Sequence, residues 1–347
     1  MRALVLHAPN DFAVEDVPRP EPGPYEVLCR VRAVAICGTD PHIIAGDFPG
    51  FWPKGFPFIP GHEWCGDVVA LGPGAADVGF AEGMRVAGTS HAGCGYCRLC
   101  VEGRYNVCEN YGDERLHRQY GHYTQGTYAD YAVHSVKSVF PVPDELSDEE
   151  AAMLDPAAIA LHTAKRAAFA PGATVVVVGP GVMGLLAANC AEALGAGRVL
   201  VVGRGRRLAK ATELGYEPVD FTAEDAVAAV RERTGGRSAD AVLECSGAGA
   251  AIGQGLEMVR RGGRVAVVGI PLEDAPIPVK RLVLDELDLI GVRAAAGEMP
   301  EAIALAAAGR LRLRDLVTHR FPLEDFAEAY RVFTERVDGA LKVIVRP

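Results

Sequence analysis

Residues 174–184, with the sequence TVVVVGPGVMG, contain the pattern that decides the fold of this chain. The four valines after Thr174 predict a strand that is covered on both faces, as in parallel sheets. Gly179, Gly181 and Gly184 follow in the spacing G-x-G-x-x-G. Such glycines allow a tight turn, a close approach of the backbone to a pyrophosphate, and close packing of helix on strand. The stretch therefore predicts a dinucleotide site, with the phosphates at the N-terminus of the following helix.

Strand-like and helical segments alternate around this stretch. The predicted helices include 182–194 and 207–214, and the further apolar strands are 199–202, 241–243, 265–268 and 287–292. Because this alternation is typical of strand–helix–strand units, it predicts an α/β domain with a doubly wound parallel sheet.

The sequence before this domain differs in texture. Short apolar runs separated by Gly and Pro indicate a β-rich segment over the first 150 residues. Ser147 and Glu150 form a capping box, which starts a helical stretch that reaches about residue 169 with one break at Pro156. The last residues end in a strand-like run, 341–345, that fits a return to the first domain. The predicted parts are 1–154, 155–292 and 293–347.

Residues 201–207, VVGRGRR, indicate which dinucleotide binds. A site that prefers NAD usually places a carboxylate at the end of the second strand, where it bonds the ribose 2′-hydroxyl. Gly203 stands there, and Arg204 follows. Guanidinium groups bind a 2′-phosphate well, so the stretch favours NADP, with NAD possible. A solvated basic start to a helix is the competing interpretation, above all for Arg206 and Arg207.

Four cysteines form the most concentrated motif of the chain. Cys94, Cys97, Cys100 and Cys108 follow the spacing C-x2-C-x2-C-x7-C. Four thiolates can close a tetrahedral site around a structural zinc ion. Two disulfides or ordinary buried thiols are the alternatives, but nothing marks the chain as secreted, and buried cysteines rarely cluster so closely. The motif predicts a structural zinc lobe at about 91–112.

Two further motifs place a metal ligand beside a carboxylate. Cys37 precedes Asp40 by three residues, and His62 directly precedes Glu63. A catalytic zinc keeps three protein ligands and an open position, and Cys37 and His62 are candidates for two of them. Asp40 is a candidate to orient the His62 ring. Taken singly, such residues are more often core cysteines or surface histidines.

Composition narrows the partners. The formal net charge is −10, which argues against nucleic acid and anionic membranes. We expect no signal peptide and no membrane span. The nine cysteines then belong in a reducing cytoplasm. Cys29, Cys65, Cys190 and Cys245 lie in apolar surroundings that are typical of core thiols.

The assembled pattern resembles a known family. Residues 61–75 read G-H-E-x2-G-x5-G-x2-A, and residues 339–343 read GALKV. Together with the cysteine lobe and the glycine motif, in this order, they resemble the zinc-containing medium-chain alcohol and polyol dehydrogenases, in the sorbitol and threonine dehydrogenase branch. The resemblance covers the whole chain. It implies a GroES-like catalytic domain interrupted by a Rossmann domain, with the active site in the cleft between them.

The resemblance implies the ligands of a catalytic zinc, the second of two zinc ions per chain. Cys37 and His62 match ligands, and Glu63 matches an adjacent glutamate that can approach or bind the metal. The remaining ligand position falls on Asp155, where the family has Cys or, in the polyol branch, Glu. Because Asp is shorter than Glu, it could bind through water. Asp155 before Pro156 is also a good helix N-cap, which is the competing interpretation.

The resemblance also implies catalytic and cofactor residues. Thr39 matches the hydroxyl that contacts the substrate oxygen, and His42 matches the outer member of a proton relay that runs through the cofactor ribose. The cofactor positions are Gly179, Gly181, Val182, Met183, Gly184, Gly203, Arg204, Cys245, Val268, Gly269 and Lys342. Val268 and Gly269 match the backbone that contacts the nicotinamide amide, and Lys342 matches a basic residue near the pyrophosphate.

The implied activity is reversible hydride transfer between NAD(P) and an alcohol or carbonyl substrate. The acidic position 155 favours a secondary alcohol, polyol or cyclitol, with L-threonine as the runner-up. The aromatic segment 47–56 either walls a substrate pocket or packs as a stiff surface loop on its own aromatics. A dinucleotide-binding relative without redox activity is the rival from another class. Relatives are homodimers or homotetramers assembled through their Rossmann domains.

Overall fold

The computed structural model describes residues 1–347, which divide into two compact units. The first unit comprises Met1–Asp155, Met299–Ala307 and Leu313–Pro347, and the second comprises Pro156–Glu298 and Ala308–Arg312. The two main boundaries thus follow residues 155 and 298, against 154 and 292 in the sequence prediction. None of the helices combines the length and the apolar character needed to span a bilayer.

The first unit begins with a β-rich segment. Its strands are β1 (Arg2–Ala8), β2 (Asp11–Asp16), β3 (Glu26–Ala35), β4 (Glu63–Leu71), β5 (Arg85–Gly88), β6 (His91–Ala92), β7 (Arg118–Gln119), β8 (Tyr131–Ser135) and β9 (Val139–Pro141). Its helices are α1 (Asp40–Ala45), α2 (Arg98–Val101) and α3 (Asp148–Ala152). The predicted capping box is present at the start of α3, where the Ser147 side chain accepts the Glu150 amide and Glu150 accepts the Ser147 amide.

The second unit alternates strands and helices. Its strands are β10 (Thr174–Val178), β11 (Arg198–Gly203), β12 (Glu217–Asp220), β13 (Ala239–Glu244), β14 (Val259–Val267) and β15 (Asp288–Gly291). Its helices are α4 (Leu154–Ala167), α5 (Val182–Ala193), α6 (Gly205–Glu213), α7 (Ala226–Arg233), α8 (Gly249–Met258) and α9 (Val279–Leu284). All strand pairs are parallel in the order β12-β11-β10-β13-β14-β15. This is the doubly wound Rossmann order, and the predicted fold class is confirmed.

The chain ends in the first unit. The closing elements are α10 (Met299–Ala307), β16 (Val317–Pro322), α11 (Phe326–Glu335) and β17 (Lys342–Arg346). β17 pairs antiparallel with β3, with Ile344 opposite Ala35, and completes a seven-stranded sheet of order β16-β17-β3-β4-β5-β9 in which β8 also pairs with β3. The sheet packs around Trp64, Tyr128 and Phe326, the largest of its fully buried side chains.

The helix break lies elsewhere than the sequence suggested. The prediction placed it at Pro156, but α3 ends at Ala152 with Met153 as its C-cap, and α4 begins at Leu154. Pro156 therefore lies in the first turn of α4, where a backbone amide has no intrahelical partner to lose. The predicted break at Pro156 is wrong by three residues for this reason.

His134 of β8 is a fully buried histidine without hydrogen bonds. It is 0% exposed, neither ring nitrogen has a partner, and its ring lies 4.4 Å from that of Trp64 and 4.1 Å from that of Tyr120. Burial lowers the pKa of His134 to about 3. Since the unfolded chain takes up a proton near pH 6.5 and the folded chain does not, stability is lost as the pH falls from about 6.5 towards 3.

His134→Phe should therefore make the first unit less sensitive to acid. Between about pH 7 and pH 4.5 the wild-type protein should lose roughly 2–3 kcal/mol more than the variant, at about 1.4 kcal/mol per pKa unit. Urea unfolding followed by tryptophan fluorescence measures this difference, because both tryptophans, Trp52 and Trp64, belong to the first unit. An equal loss of stability in the two proteins would show that His134 does not stay neutral.

Candidate active site

The register of β3 and β4 brings the first two predicted metal ligands together. Ala35 near the end of β3 pairs with Glu63 at the start of β4. Cys37 follows the first strand by two residues and His62 precedes the second by one, so both lie at the same edge. The ligand atoms of Cys37, His62 and Glu63 all lie within 4.8 Å of one another. Residues far apart in the sequence thus form one cluster of metal-ligating groups.

Gly61 makes the close approach at His62 possible. Its φ is +92°, and a Cβ there would lie 2.8 Å from the Tyr128 ring. Any other residue would be strained by the backbone angle and would displace the ring. Position 61 of the Gly61–Glu63 motif therefore requires glycine for steric reasons.

The electrostatics of the cluster suit a cation. Burial alone would lower the pKa of His62, but the charge and hydrogen bond of Cys37 and the charges of Asp40 and Glu63 outweigh it and raise the pKa to about 10. Oδ1 of Asp40 and Nδ1 of His62 lie 3.6 Å apart, and neither atom has a hydrogen-bond partner. A thiol and buried carboxylates that converge on one imidazole are the arrangement that a bound cation satisfies. The residues present therefore fit a zinc ion.

Asp40 is fixed from its other side. Its Oδ2 accepts the Cys37 amide at 2.8 Å and the Tyr128 hydroxyl at 2.7 Å, and its side chain is buried. The carboxylate therefore has a defined position behind the His62 ring, which supports the predicted orienting role.

Asp155 lies near this cluster and interacts electrostatically with His62 and Glu63. It is not one of the three residues whose ligand atoms lie within 4.8 Å of one another. Burial raises the pKa of Asp155, the charge of His62 opposes the rise and the charge of Glu63 adds to it, so that the pKa is about 6. Oδ1 accepts the Ser90 amide at 3.3 Å, whereas Oδ2 is buried without a partner. The carboxylate therefore bonds a residue far away in the sequence, which does not support the N-cap interpretation.

Lys342 has a different environment from the one that the resemblance implies. Its side chain is only 3% exposed, and Nζ donates to Glu63 Oε2 at 2.5 Å and to the Ile36 carbonyl at 3.1 Å. A lysine so enclosed neutralises a buried glutamate rather than presenting its charge to an anion in solvent. The structure therefore favours a role in holding Glu63 over the predicted pyrophosphate contact.

The four lobe cysteines form a second cluster of metal-ligating groups. The Sγ atoms of Cys94, Cys97, Cys100 and Cys108 lie within 4.8 Å of one another. The closest sulfur pairs, Cys94–Cys100 and Cys97–Cys108, are each 3.8 Å apart, far longer than a disulfide bond of about 2.05 Å. The disulfide alternative does not fit this geometry, whereas tetrahedral thiolate coordination does.

Backbone groups hold these thiols in place. The Cys97 amide donates to Cys94 Sγ at 3.3 Å, and the Cys100 amide donates to Cys97 Sγ at 3.4 Å. Burial would raise the pKa of Cys94, but the amides of Cys97 and Tyr96 help to lower it to about 6. Amide donors that stabilise a thiolate prepare the lobe for a metal.

The glycine motif follows β10 as predicted. Gly179 has φ +99°, and a Cβ at Gly184 would lie 1.8 Å from the Gly179 carbonyl oxygen. α5 therefore starts in direct contact with the turn, with Gly181 as N-cap and Val182 and Met183 as its first residues. The free amides of this N-terminus are the expected phosphate donors.

Gly203 ends β11 against the glycine turn. A Cβ at this position would lie 2.2 Å from Pro180, so no side chain fits there. Arg204 follows as the N-cap residue of α6, with an exposed side chain whose guanidinium carbon lies 5.6 Å from the centre of the Phe221 ring. The carboxyl end of β11 is thus followed by an arginine near an aromatic ring, where an NAD site has a carboxylate.

The remaining cofactor candidates lie at the carboxyl ends of neighbouring strands in the same sheet. The Cys245 amide donates to Val178 at the end of β10, and the Val268 amide donates to the carbonyl of Glu244 at the end of β13. Gly269 follows, and a Cβ there would lie 2.2 Å from the Gly247 amide nitrogen. Since ligands of such sheets bind at the carboxyl ends of the strands, this placement suits a cofactor.

Glu244, the last residue of β13, lies among these candidates and was not predicted from the sequence. Its carboxylate is buried and accepts the backbone amide and hydroxyl of Ser246 and the amide of Gly247. It therefore fixes the turn beside Gly269. A carboxylate at the end of an otherwise apolar strand was the only signal in the sequence.

The two predicted relay residues lie on either side of the start of α1. The Thr39 hydroxyl donates to Cys37 Sγ at 3.3 Å, which puts it beside the metal-ligating cluster. His42 lies in the helix with its side chain 38% exposed, and its Nδ1 lies 2.6 Å from Asp47 Oδ2. One residue is thus at the cluster and the other reaches solvent.

The aromatic segment packs on itself and extends towards His62. The Trp52 ring lies 5.0 Å from that of Phe51 and 4.8 Å from that of His122. The His122 ring in turn lies 4.4 Å from that of His62. His122 was not among the predicted residues because nothing in the sequence links it to position 62. The segment therefore packs on aromatic rings, and this packing continues to His62.

Comparisons with known proteins agree with this geometry. The family model of the alcohol dehydrogenase GroES-like domain matches residues 23–144, and that of the zinc-binding dehydrogenases matches residues 182–308. Sorbitol dehydrogenase of Bacillus subtilis is 33% identical, over 100% of this chain and 97% of its own length. L-threonine 3-dehydrogenase of Photorhabdus laumondii is 35% identical, over 99% of each protein.

A solved structure is similar over the whole chain. A zinc-binding dehydrogenase from Sinorhizobium meliloti, bound to NADP, has a TM-score of 0.90 at 31% identity and covers 100% of this chain and 99% of its own. The family models match more than half of the chain between them, and the relatives span it almost completely. The chain therefore belongs to the zinc-containing medium-chain alcohol and polyol dehydrogenase family.

Proposed function

We propose that this protein is a zinc-dependent oxidoreductase that prefers NADP(H) and acts on a secondary alcohol, a polyol or a cyclitol. The observation that carries the proposal is the cluster of Cys37, His62 and Glu63, whose ligand atoms converge in a buried field of negative charge. A second cluster of four cysteines supports a structural zinc in addition. The lobe thiols bind zinc only when reduced, which suits the cytoplasm.

The chain's own residues divide the work at the metal centre. Zinc supplies Lewis-acid polarisation of the substrate oxygen, and NADP(H) supplies the hydride chemistry. Cys37 and His62 hold the ion, with Asp155 completing the set directly or through water. Asp40 fixes the ring of His62.

Three other residues control charge and protons in this proposal. Lys342 balances Glu63 and keeps it near the ion. The Thr39 hydroxyl, beside Cys37, orients the substrate hydroxyl, and His42 exchanges the released proton with solvent.

The preference for NADP follows from position 203. A carboxylate at the end of β11 would repel a 2′-phosphate, and Pro180 leaves no room for any side chain at Gly203. Arg204 is exposed and can bind the phosphate by charge-assisted hydrogen bonds. The Sinorhizobium relative, whose structure contains NADP, also supports the preference.

Arg204→Glu should raise the KM for NADP by about 10- to 100-fold, because a charged hydrogen bond contributes about 1.5–3 kcal/mol. The KM for NAD, which lacks the 2′-phosphate, should change far less. Steady-state assays with each cofactor measure the ratio. Arg237→Glu, at another exposed arginine of the second unit, is the matched control. An equal effect on both cofactors would remove Arg204 from the 2′-phosphate site.

An L-threonine 3-dehydrogenase activity is the second candidate. It is favoured by the relative from Photorhabdus laumondii, which is 35% identical to this chain, against 33% for the sorbitol dehydrogenase. An enzymatically inactive relative is the third, but the presence of both clusters of metal-ligating groups speaks against it.

We further propose a homodimer or homotetramer assembled through the second unit. Its exposed large apolar side chains are concentrated in one stretch, at Ile270, Leu272, Val279, Val283 and Leu284. β15, next to this stretch, is one of the two edge strands of the sheet, and β12 is the other. Light scattering should give the mass of two or four chains, and a monomer would contradict the proposal.

One experiment separates the candidates. Absorbance of the reduced nicotinamide is followed with sorbitol, myo-inositol, butane-2,3-diol and L-threonine, with NADP and NAD in turn, on protein of known zinc content. Turnover of a polyol, cyclitol or diol with near two zinc ions per chain supports the proposal. Turnover of L-threonine alone would select the second candidate. No turnover and no zinc would select the inactive relative.

A further inference from the structure

Asp47 has no role in the mechanism proposed above, although its carboxylate lies beside His42. Nδ1 of His42 lies 2.6 Å from Asp47 Oδ2. An ionised carboxylate can only accept hydrogen bonds, so Nδ1 carries the hydrogen. In the neutral ring Nε2 is then unprotonated and able to accept a proton.

The backbone holds the same two residues together. α1 ends at Gly46, which is left-handed with φ 74° and ψ 29°. This turn lets the Asp47 amide donate to the His42 carbonyl at 3.0 Å. Asp47 therefore binds His42 through both its amide and its carboxylate, and Phe48 places its ring 6.1 Å from the imidazole. The direction of the imidazole is thus set locally.

Tyr330 and Asp40 are titratable groups in the surroundings of this pair. Burial and then the charges of Asp40 and Asp47 raise the pKa of Tyr330, so this phenol stays neutral beside the pair. The side chains of His42 and Asp47 are 38% and 40% exposed, which gives the imidazole access to solvent. The pair therefore combines a fixed tautomer with a route for protons.

We propose that Asp47 is a positioning residue for proton transfer, which keeps hydrogen on Nδ1 of His42 so that Nε2 exchanges the reaction's proton. This inference rests on the proposed dehydrogenase function. Oxidation of an alcohol to a carbonyl releases one hydride, taken by the cofactor, and one proton. Nε2 accepts that proton and returns it to solvent, and in reduction it supplies one.

The first test is the tautomer of His42, which needs no substrate. Nitrogen-15 NMR at about pH 9, above the usual titration range of histidine, should show the Nδ1–H form in the wild-type protein. His42→Asn identifies the signal among the nine histidines. In Asp47→Ala the signal should move towards the Nε2–H form. If that variant does not fold, Asp47→Leu replaces it, because its side chain can neither accept a hydrogen bond from Nδ1 nor donate one.

The second test is kinetic, with the alcohol of the four above that gives the highest turnover. In weak buffer Asp47→Ala should lower kcat by about 10-fold, and KM should change by less than about twofold. The expected loss is smaller than the rate contribution of a general acid or base, which is about 10²- to 10⁴-fold, because His42 itself is still present. Asp47→Glu and added imidazole should each restore much of kcat. Asp77→Ala, at an exposed carboxylate on a remote turn, is the control.

The outcomes are distinguishable. A wild-type tautomer in Asp47→Ala, or an unchanged kcat when His42→Asn is impaired, would overturn the positioning role alone. Full turnover by His42→Asn would overturn the proton-exchange role of His42 in the proposed function. Loss of kcat without restoration by Asp47→Glu or imidazole would show that Asp47 only supports the local fold.

Discussion

Replacing His62 with alanine is expected to lower kcat by about 10³-fold or more, because Lewis-acid catalysis contributes several kcal/mol and each 1.36 kcal/mol is tenfold. The substitution removes a ligand whose partners Cys37 and Glu63 lie within 4.8 Å. It also leaves the buried Asp40 without a cationic neighbour. Zinc content should fall from near two ions per chain to near one.

Cofactor binding should separate this effect from misfolding. The glycine motif and Arg204 belong to the second unit, whereas His62 belongs to the first. NADPH titration followed by fluorescence should therefore give a Kd within about twofold of wild type. His7→Ala, at an exposed histidine of the first unit, is the matched control. Wild-type turnover by His62→Ala would remove the metal from the mechanism.

The second large effect is expected at the cysteine lobe. Cys97→Ser should release the structural zinc and destabilise the first unit by about 4 kcal/mol, the range seen when a metal site is lost. Cys97 Sγ caps α2 by accepting the Cys100 amide and lies 3.8 Å from Cys108 Sγ, so its loss affects both ends of the lobe. Limited proteolysis between residues 94 and 108 and zinc content per chain are the measurements.

A second cysteine provides the control for this variant. Cys29 is a buried thiol of the same unit and belongs to neither cluster. Cys29→Ala should therefore keep near two zinc ions per chain and an intact lobe. If Cys97→Ser also kept its zinc and its resistance to protease, the four thiols would be ordinary core residues.

The sequence predicted what local spacing determines. β10 has the predicted bounds, since a run of valines before a glycine turn allows few alternatives. β12 was not predicted, because Glu217, Pro218 and Asp220 interrupt its apolar pattern. Such residues are tolerated there because β12 is the edge strand of its sheet.

Contacts between residues far apart in the sequence are what could not be predicted at the candidate site. The cysteine lobe and the turn of His62 were visible as motifs. Lys342 and Glu63 are 279 residues apart, and the pairing of β17 with β3 and of β3 with β4 brings them together. The partner of Lys342 was therefore missed: the resemblance implied a basic residue near the pyrophosphate, and the structure shows a buried ion pair with Glu63. Glu244 was missed for a different reason, since its partners are Ser246 and Gly247 in the turn that directly follows it.

Whether Cys37 and His62 hold a zinc ion can be seen by anomalous diffraction at the zinc edge, from crystals of the zinc-loaded protein. Two peaks per chain are expected. One peak should lie about 2.3 Å from Cys37 Sγ and about 2.0 Å from a ring nitrogen of His62, and the other should lie among the four lobe sulfurs. A map with the lobe peak alone, and with Cys37 and His62 turned away from each other, would contradict the account.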